Sequence, residues 1–267
     1  MRKYFTFFKM RLLAGFQYRS AAWAGVGTQF FWGLMYIMIF MAFYRSSDGN
    51  SPMSLTEIVQ YFWLQQALFA FLFAFNHDAK IAKSIISGDL AYELVKPLSL
   101  YKMWFASIFS SKLAATILRS WPILLISFLM PGTYRFVLPS SFGVFGLFLV
   151  TLSFALIINV LLGMFMYYLM FITLEIKSTV TIFANFSSFL SGGLIPLAFM
   201  PLFITKLNYF LPFRLGYDVP LRVYSGNIAG SEVLISIGLQ VIWIIILFSL
   251  GNLLFSKRLK KIVVQGG

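Results

Sequence analysis

Long apolar stretches separated by short polar ones dominate this sequence. The first, 21–44, has no charged residue, and a helix of that length crosses a hydrocarbon layer of about 30 Å. The pattern predicts an all-α integral membrane protein that forms one transmembrane domain over residues 1–267. The six predicted transmembrane helices are 21–44, 58–76, 104–130, 142–169, 179–190 and 233–255.

The composition supports the same class. Of the residues, 60% are hydrophobic and 11% are charged, whereas soluble domains carry about 25% charged residues. The absence of cysteine excludes disulfides and thiolate metal ligands, and a single histidine disfavours a zinc or copper site. We therefore expect no metal on this chain.

The first residues, 2–20, place basic residues among aromatic and aliphatic ones. This spacing predicts an amphipathic helix that lies in the cytoplasmic interface of the membrane. A simple positive flank for the first span is an equally good interpretation. No short apolar core with a small-residue cleavage site is present, so we do not expect a cleaved signal peptide.

A polar segment, 77–98, separates the second and third spans and holds the only histidine and three of the eight acidic residues. It starts as a short amphipathic helix that runs into Gly88 and Asp89. In a chain with so little charge, we predict that this segment contacts something in the cytoplasm. The helix is expected to place Ile81, Ile85 and Ile86 on one side and Lys80, Lys83 and Ser84 on the other.

The third span contains two cations, Lys112 and Arg119, seven residues apart and hence on one helix face. Charges at membrane depth usually face protein or water. One interpretation is a cationic stripe that lines a translocation path or meets an anionic headgroup. The other is that Lys112 extends to the inner interface while Arg119 pairs with an acid or with carbonyls on another helix.

The stretch 192–230 is too apolar for a solvated loop and too interrupted by proline and glycine for a full span. Irregular backbone at membrane depth must be buried in protein or line a cavity. We predict a broken hairpin of two re-entrant half-helices, one over 199–206 and one ending at Pro220–Tyr224. The alternative is an interfacial loop anchored at headgroup level by Tyr209, Phe210, Phe213, Tyr217 and Tyr224.

The net charge of +13 follows the topology rather than a nucleic-acid partner, because lysine and arginine gather at the ends of the apolar stretches. Fourteen lie on the side of the N-terminus, five on the opposite side and two within the third span. We therefore predict that both termini are cytoplasmic. The fourteen are Arg2, Lys3, Lys9, Arg11, Arg19, Lys80, Lys83, Lys96, Lys102, Lys177, Lys257, Arg258, Lys260 and Lys261, and the five are Arg45, Arg135, Lys206, Arg214 and Arg222.

Motifs for catalysis are missing. The chain has no G-x-x-x-x-G-K-[ST] loop for nucleotide phosphates, no H-E-x-x-H and no G-x-S-x-G. The predicted spans lack the acids or histidine that a proton-coupled carrier usually needs, apart from Glu175 near an inner end. The chain is therefore not expected to be an enzyme by itself, and a secondary carrier is disfavoured.

Two motifs resemble those of the membrane subunits, or permeases, of type 2 ABC exporters. The first is Gly88-Asp89-Leu90-Ala91-Tyr92-Glu93-Leu94-Val95-Lys96-Pro97-Leu98 in the first cytoplasmic loop. The second is the break Gly192-Gly193-Leu194-Ile195-Pro196, continuing to Pro201 and followed by Leu211-Pro212-Phe213. The six spans, the cytoplasmic termini and the N-terminal helix also fit that family.

The resemblance implies that 79–90 is a coupling helix for a separate ATP-binding subunit and that 173–178 is a lesser contact. It also implies half-helices that cap the outer mouth, two ATP-binding subunits, and a second permease chain, identical or a sister. ATP and magnesium would belong to the ATP-binding subunits, with no cofactor on this chain. The predicted coupling residues are Lys80, Lys83, Ile86, Gly88, Asp89, Leu90, Glu93, Glu175 and Lys177, and the predicted substrate-path residues are Lys112, Arg119, Gly192, Gly193 and Pro196.

The function implied is ATP-driven export of an amphiphile, such as a drug, antimicrobial peptide, lipid or glycan, across the plasma or inner membrane. An alternative of another class is a non-transporting membrane scaffold, or an immunity protein that sequesters a lipid or peptide. A neighbouring reading frame that encodes a phosphate-binding loop would favour the exporter over the scaffold.

Overall fold

The computed structural model describes residues 2–17, 19–46, 51–74, 77–95 and 98–260, and this part of the chain is helical without any β-strand. Short 3₁₀ helices at Gly132–Tyr134 and Leu197–Phe199 interrupt the connections. The α-helices are α1 (Arg2–Gly15), α2 (Arg19–Ser46), α3 (Leu55–Ala67), α4 (Phe69–Leu72), α5 (Ala79–Ser87), α6 (Leu90–Leu94), α7 (Leu100–Leu129), α8 (Phe142–Thr173), α9 (Lys177–Ser191), α10 (Leu202–Tyr209), α11 (Pro212–Leu215), α12 (Asp218–Ser225) and α13 (Ser231–Leu259).

Four of the described helices are long and apolar enough to cross a bilayer, namely α2 from Ala22, α7, α8 and α13. The longest, α8, has 32 residues, which is about 48 Å at a rise of 1.5 Å per residue. These helices correspond to the first, third, fourth and sixth predicted spans. The prediction of an all-helical protein with several membrane-spanning helices is confirmed for the described residues.

The other two predicted spans, 58–76 and 179–190, correspond to shorter helices. α3 has 13 residues and ends at Ala67, and α4 adds four after Leu68. α9 has 15 residues, or about 22 Å, which is less than a hydrocarbon thickness of about 30 Å. Residues 75 and 76 lie outside the described part of the chain. The count of six spans therefore stays a prediction.

The N-terminal helix α1 packs along the first half of α7. The Tyr4 hydroxyl accepts the backbone N–H of Ser99 at 2.9 Å, and the rings of Phe8 and Phe109 lie 6.0 Å apart. These contacts advance in the same direction along both helices, and α2 continues along the second half of α7. The helix ends at Gly15, earlier than predicted, and its location in the membrane interface stays a prediction.

The centre of the molecule is α8, which packs against α13, α12, α5 and α4. Near the C-terminal end of α8, a buried aromatic cluster joins three long helices. It consists of Trp104 from α7, Tyr167 and Phe171 from α8, and Phe255 from α13, with ring centroids 5.7–6.0 Å apart for the contacting pairs. This cluster matters below, because two of its members also hold the polar segment.

Candidate functional site

The polar segment folds into two short helices joined by a tight turn over its described residues, 77–95. Asp78 caps the start of α5, since its side chain accepts the backbone N–H of Lys80 at 2.8 Å. Gly88 ends α5 with φ +81°, a left-handed conformation that glycine adopts at little cost. The predicted end of the helix at Gly88 is confirmed, while Lys96 and Pro97 lie outside the described residues.

One side of α5 is buried against α8. Ile81 and Ile85 are 4% and 5% exposed, and the buried Ser84 hydroxyl donates to the Ile81 carbonyl at 2.9 Å. Ile86, by contrast, is 39% exposed. The predicted grouping of Ile86 with the buried isoleucines, and of Ser84 with the polar side, is wrong. One residue turns the helix by about 100°, which carries Ile86 past the buried side.

The opposite side of α5 and the following turn form an exposed surface, which we call the α5 surface. It consists of Lys80, Lys83, Ile86, Gly88 and Asp89. The turn is held locally, because the Ser87 hydroxyl donates to Oδ2 of Asp89 at 2.6 Å. The α5 surface therefore combines two cations, one aliphatic side chain and a structured turn.

The polar segment is attached to two long helices. The backbone N–H of Asp78 donates to the Tyr167 hydroxyl at 2.6 Å, and Nε1 of Trp104 donates to Oε2 of Glu93 at 2.7 Å. Leu90 is 2% exposed. Two of the predicted coupling residues, Leu90 and Glu93, are thus engaged with their own chain, and Glu93 connects the polar segment to the aromatic cluster.

The second predicted contact, 173–178, is the turn between α8 and α9. Glu175 caps α9 by accepting the backbone N–H groups of Lys177 at 3.1 Å and Ser178 at 2.6 Å, as well as the Ser178 hydroxyl. The hydrogen bond from the Ser178 side chain, followed by those from the backbone, lowers the pKa of Glu175. Lys177 is exposed. The turn lies at the same end of α8 as Tyr167, so it is on the same side of the molecule as α5.

Lys112 is 4% exposed, and its ammonium group is hydrogen-bonded to backbone carbonyls. Nζ donates to the carbonyl oxygens of Ala70 at 3.0 Å and Phe73 at 2.6 Å. These carbonyls lie at the C-terminal end of α4, where the helix leaves its last acceptors without partners in the helix. The lysine therefore caps the end of a broken helix.

Arg119 lies close to the backbone of α2. A Cβ added to Gly25 would come within 2.9 Å of Cζ of Arg119, so the guanidinium lies directly against the backbone of this glycine. The Nε atom of Arg119 is buried and has no hydrogen-bond partner. Lys112 and Arg119 line two adjacent cavities, of about 220 and 370 Å³, which share Asp78, Ser111 and Ala115. The two cations therefore line neighbouring cavities but differ in their bonding. Lys112 is hydrogen-bonded to two carbonyls, whereas the Nε of Arg119 has no partner.

The predicted break at Gly192, Gly193 and Pro196 is closed against α3. Gly192 ends α9 with φ +83°. The carbonyl of Gly193 accepts Nε2 of Gln65 at 3.1 Å, and that of Gly192 accepts the Tyr61 hydroxyl at 3.4 Å. Beyond the break, α10 and α12 take the places of the two predicted half-helices, with bounds shifted by a few residues.

A buried charge network in the broken hairpin was missed by the sequence analysis. Asp218 is fully buried and accepts the Tyr61 hydroxyl at 3.2 Å and Nη1 of Arg222 at 3.3 Å. Arg222 in turn donates from Nε to Asn227 at 2.7 Å, and Asn227 donates to Glu57 at 3.3 Å. These contacts join α12 to α3.

Arg214 is the second buried cation of the broken hairpin, and its side chain is 4% exposed. Its Nη2 lies 3.4 Å from Glu232 Oε1 and from the Ser236 hydroxyl at the start of α13, and its Cζ lies 4.5 Å from the centre of the Tyr209 ring. Asp218 and Arg222, four residues apart in an apolar stretch, were the available sequence signal for such pairs. The sequence analysis used Arg214 and Arg222 only in the count of positive charges that predicts the orientation of the spans.

Among the described residues, no group of three histidine, cysteine, aspartate or glutamate side chains is close enough together to hold a metal ion. Fold and site define a multi-pass helical membrane protein with an attached, charged surface helix. The sequence matches the family described as ABC-2 family transporter protein over residues 30–266. The chain belongs to this family.

Family membership makes the chain a membrane component, or permease subunit, of an ABC transporter. In this family the ATPase activity belongs to a separate ATP-binding subunit. No curated protein matches the sequence significantly. The ATP-binding partner is implied by the family.

Proposed function

We propose that this chain is the permease of an ATP-driven exporter and that α5 is the helix through which ATP hydrolysis moves it. The observation that supports this proposal is the α5 surface. A helix with one side packed on α8 and the other side exposing Lys80, Lys83 and Ile86 has the form of a docking element. The excess of positive charge on this side of the chain favours a cytoplasmic location.

Attachment at both ends lets a short helix transmit force. The hydrogen bonds from Asp78 to Tyr167 and from Trp104 to Glu93 connect α5 and α6 to α8 and α7. A push on the α5 surface would therefore reach two long helices through the aromatic cluster. The capped turn at Glu175 is the second contact in this proposal, with Lys177 exposed toward the partner.

The assembly that fits this proposal has two ATP-binding subunits and two permease chains, identical or paired with a sister. ATP and magnesium are held by the ATP-binding subunits, and this chain carries no cofactor. The location is the plasma or inner membrane with both termini in the cytoplasm.

The cargo of the proposed exporter is an amphiphile, such as a drug, an antimicrobial peptide, a lipid or a glycan. An apolar groove of about 440 Å³ between α2 and the break supports an apolar moiety on the cargo. Its lining includes Phe40, Leu194, Ile195 and Phe199, and it adjoins the break at Gly193 and Pro196. Lys112 is satisfied by carbonyls, so the contacts favour a structural role for it over a place in the path.

The test reverses charge and polarity on the α5 surface. The double variant Lys83→Glu, Ile86→Asp is compared with Lys102→Glu, which changes an exposed lysine at the start of α7. Co-purification of the ATP-binding subunit and ATP-dependent uptake of a fluorescent amphiphile into inverted vesicles are measured. We expect both to fall at least tenfold in the double variant and to stay near the wild-type level in the control.

The free energy of unfolding should change by less than about 0.5 kcal/mol in both variants, because the altered side chains are exposed. Normal complex formation and uptake by the double variant would contradict the coupling proposal. A wild-type chain that inserts normally but neither binds the ATP-binding subunit nor moves any amphiphile would instead support the scaffold alternative.

A further inference from the structure

A cavity of about 370 Å³ lies among α1, α2, α5 and α7, beside the polar segment. Its charged lining consists of Arg11 from α1, Lys80 from α5, Arg119 from α7 and the carboxylate of Asp78. Three cations thus come together from three helices that are far apart in the sequence. Nothing in the coupling proposal uses this convergence.

The protein neutralises only part of the positive charge in this cavity, since three cations face one carboxylate in its lining. Among the described residues, no carboxylate oxygen lies within 4.0 Å of the three cationic groups, and the ion pairs found there involve Arg214 and Arg222. The one carboxylate in the lining, that of Asp78, already accepts the backbone N–H that starts α5. The buried Nε of Arg119 has no hydrogen-bond partner.

The guanidinium of Arg119 in the lining favours an oxyanion as its ligand, because charge-assisted hydrogen bonds from arginine to oxyanions are strong. Arginine and lysine together are the side chains that bind phosphate groups best, through forked donors and a point charge. The backbone of Gly25 leaves the space in which the guanidinium of Arg119 lies. The lining therefore fits a phosphate-type anion rather than a cation or a neutral group.

Exposed apolar side chains beside the cavity indicate the source of the phosphate. Trp23 and Trp121 are 57% and 54% exposed, and their rings meet edge to face with centroids 5.9 Å apart. Each is within two residues of a cavity residue, Ala22 or Arg119. Leu13, next to the lining of α1, is 56% exposed. Acyl chains attached to a bound phosphate would lie against these side chains.

We propose that this cavity binds the phosphate headgroup of an anionic phospholipid, with Arg11, Lys80 and Arg119 as its ligands. Basic pockets between membrane helices are suited to such headgroups. The bound lipid would connect α1, α5 and α7, and so stabilise the position of α5. This proposal depends on the cavity and not on the docking of an ATP-binding subunit.

The test measures lipid binding to the purified full chain in a nonionic detergent. Retention of phosphatidylglycerol or phosphatidylcholine is followed by native mass spectrometry, and the melting temperature is followed with each lipid, with glycerol phosphate and with inorganic phosphate. Three variants are compared with the wild type. One combines Arg11→Gln with Arg119→Gln, and the second combines the charge-retaining Arg11→Lys with Arg119→Lys. The third is the control Arg135→Gln, at an exposed position.

We expect phosphatidylglycerol, and not phosphatidylcholine, to bind and to raise the melting temperature of the wild type. The double glutamine variant should bind phosphatidylglycerol at least about tenfold more weakly. Each cation near an anionic lipid surface changes the affinity by about fivefold, and this variant loses two. The double lysine variant and Arg135→Gln should stay within about threefold of wild type on the same electrostatic grounds.

Equal binding of the two lipids, or unchanged phosphatidylglycerol binding in the double glutamine variant, would overturn the proposal. Loss of binding in the lysine variant as complete as in the glutamine variant would overturn its electrostatic basis. Stabilisation by inorganic phosphate or glycerol phosphate without stabilisation by the lipid would show that the site takes a soluble phosphate instead.

Discussion

The polar segment and the broken hairpin both place charge in an otherwise apolar chain, and they use it in opposite ways. In the polar segment, Lys80, Lys83 and Asp89 are exposed, and its helix is held by capping and by backbone hydrogen bonds. In the broken hairpin, Asp218 and Arg214 are almost completely buried and paired. Paired buried charges specify how the hairpin packs, whereas exposed charges are available to a partner.

The largest change in stability is expected from a substitution that breaks the buried charge network of the broken hairpin. Asp218→Ala removes the acceptor shared by Tyr61 and Arg222 and leaves a cation without its partner. We expect the free energy of unfolding in detergent to fall by about 3–5 kcal/mol. Asp89→Ala removes only the exposed hydrogen bond from Ser87, so it should change the free energy of unfolding by about 1 kcal/mol or less. Equal losses in the two variants would contradict the contrast between the regions.

The next effect concerns Lys112, which resembles Asp218 in being buried and hydrogen-bonded to other parts of the chain. Lys112→Met leaves the carbonyls of Ala70 and Phe73 without this donor, so we expect a loss of about 1–3 kcal/mol in unfolding free energy. Lys102→Met, at an exposed position of α7, is the control. A variant with normal stability and altered transport would place Lys112 in the substrate path after all.

A smaller effect tests the turn that shapes the polar segment. Gly88→Ala forces a side chain into the left-handed conformation, so we expect a loss of about 1 kcal/mol, measured by denaturant unfolding. Gly27→Ala places the same methyl group in open space within α2, where alanine favours the helix. That control should be neutral or slightly stabilising. Indistinguishable results would mean that the turn at Gly88 does not need glycine.

The smallest effect is the pH dependence contributed by Glu175. Its hydrogen bonds lower its pKa in the folded protein, so the carboxylate stabilises the fold at pH values above its ordinary pKa. This stabilisation is lost as the pH falls through the lowered pKa. Melting temperatures of wild type and Glu175→Gln should therefore differ slightly at pH 7 and converge below about pH 4. A difference that persists at low pH would show that packing, not charge, is responsible.

Local signals in the sequence predicted one end of α5. Gly88 after the amphipathic run predicts where the helix ends, because a helix cap depends on neighbouring backbone groups alone, whereas the cap by Asp78 at its start was not predicted. The face of α5 was predicted less well, since Ile86 is apolar in the sequence yet exposed beside a buried helix side. Helical periodicity predicts which residues lie on the same side of α5. It does not predict how much of that side the neighbouring helix α8 covers.

The broken hairpin shows what local signals leave open. An acid such as Asp218 in a glycine- and proline-rich stretch is compatible with a solvated loop until Tyr61 and Arg222 are brought to it. Tyr61 is 157 residues away, so no spacing rule connects the two. The same applies to Arg11, Lys80 and Arg119, whose meeting in one cavity follows from α1 packing along α7.

The sequence by itself determined the helical membrane class and the end of α5 at Gly88, because hydropathy and capping are properties of consecutive residues. Only the tertiary structure decided which charges are buried, that Lys112 caps α4, and that α3 ends at Ala67. The physical reason is that the cost of a buried charge depends on the distance to its partner in space. Packing of distant helices sets that distance.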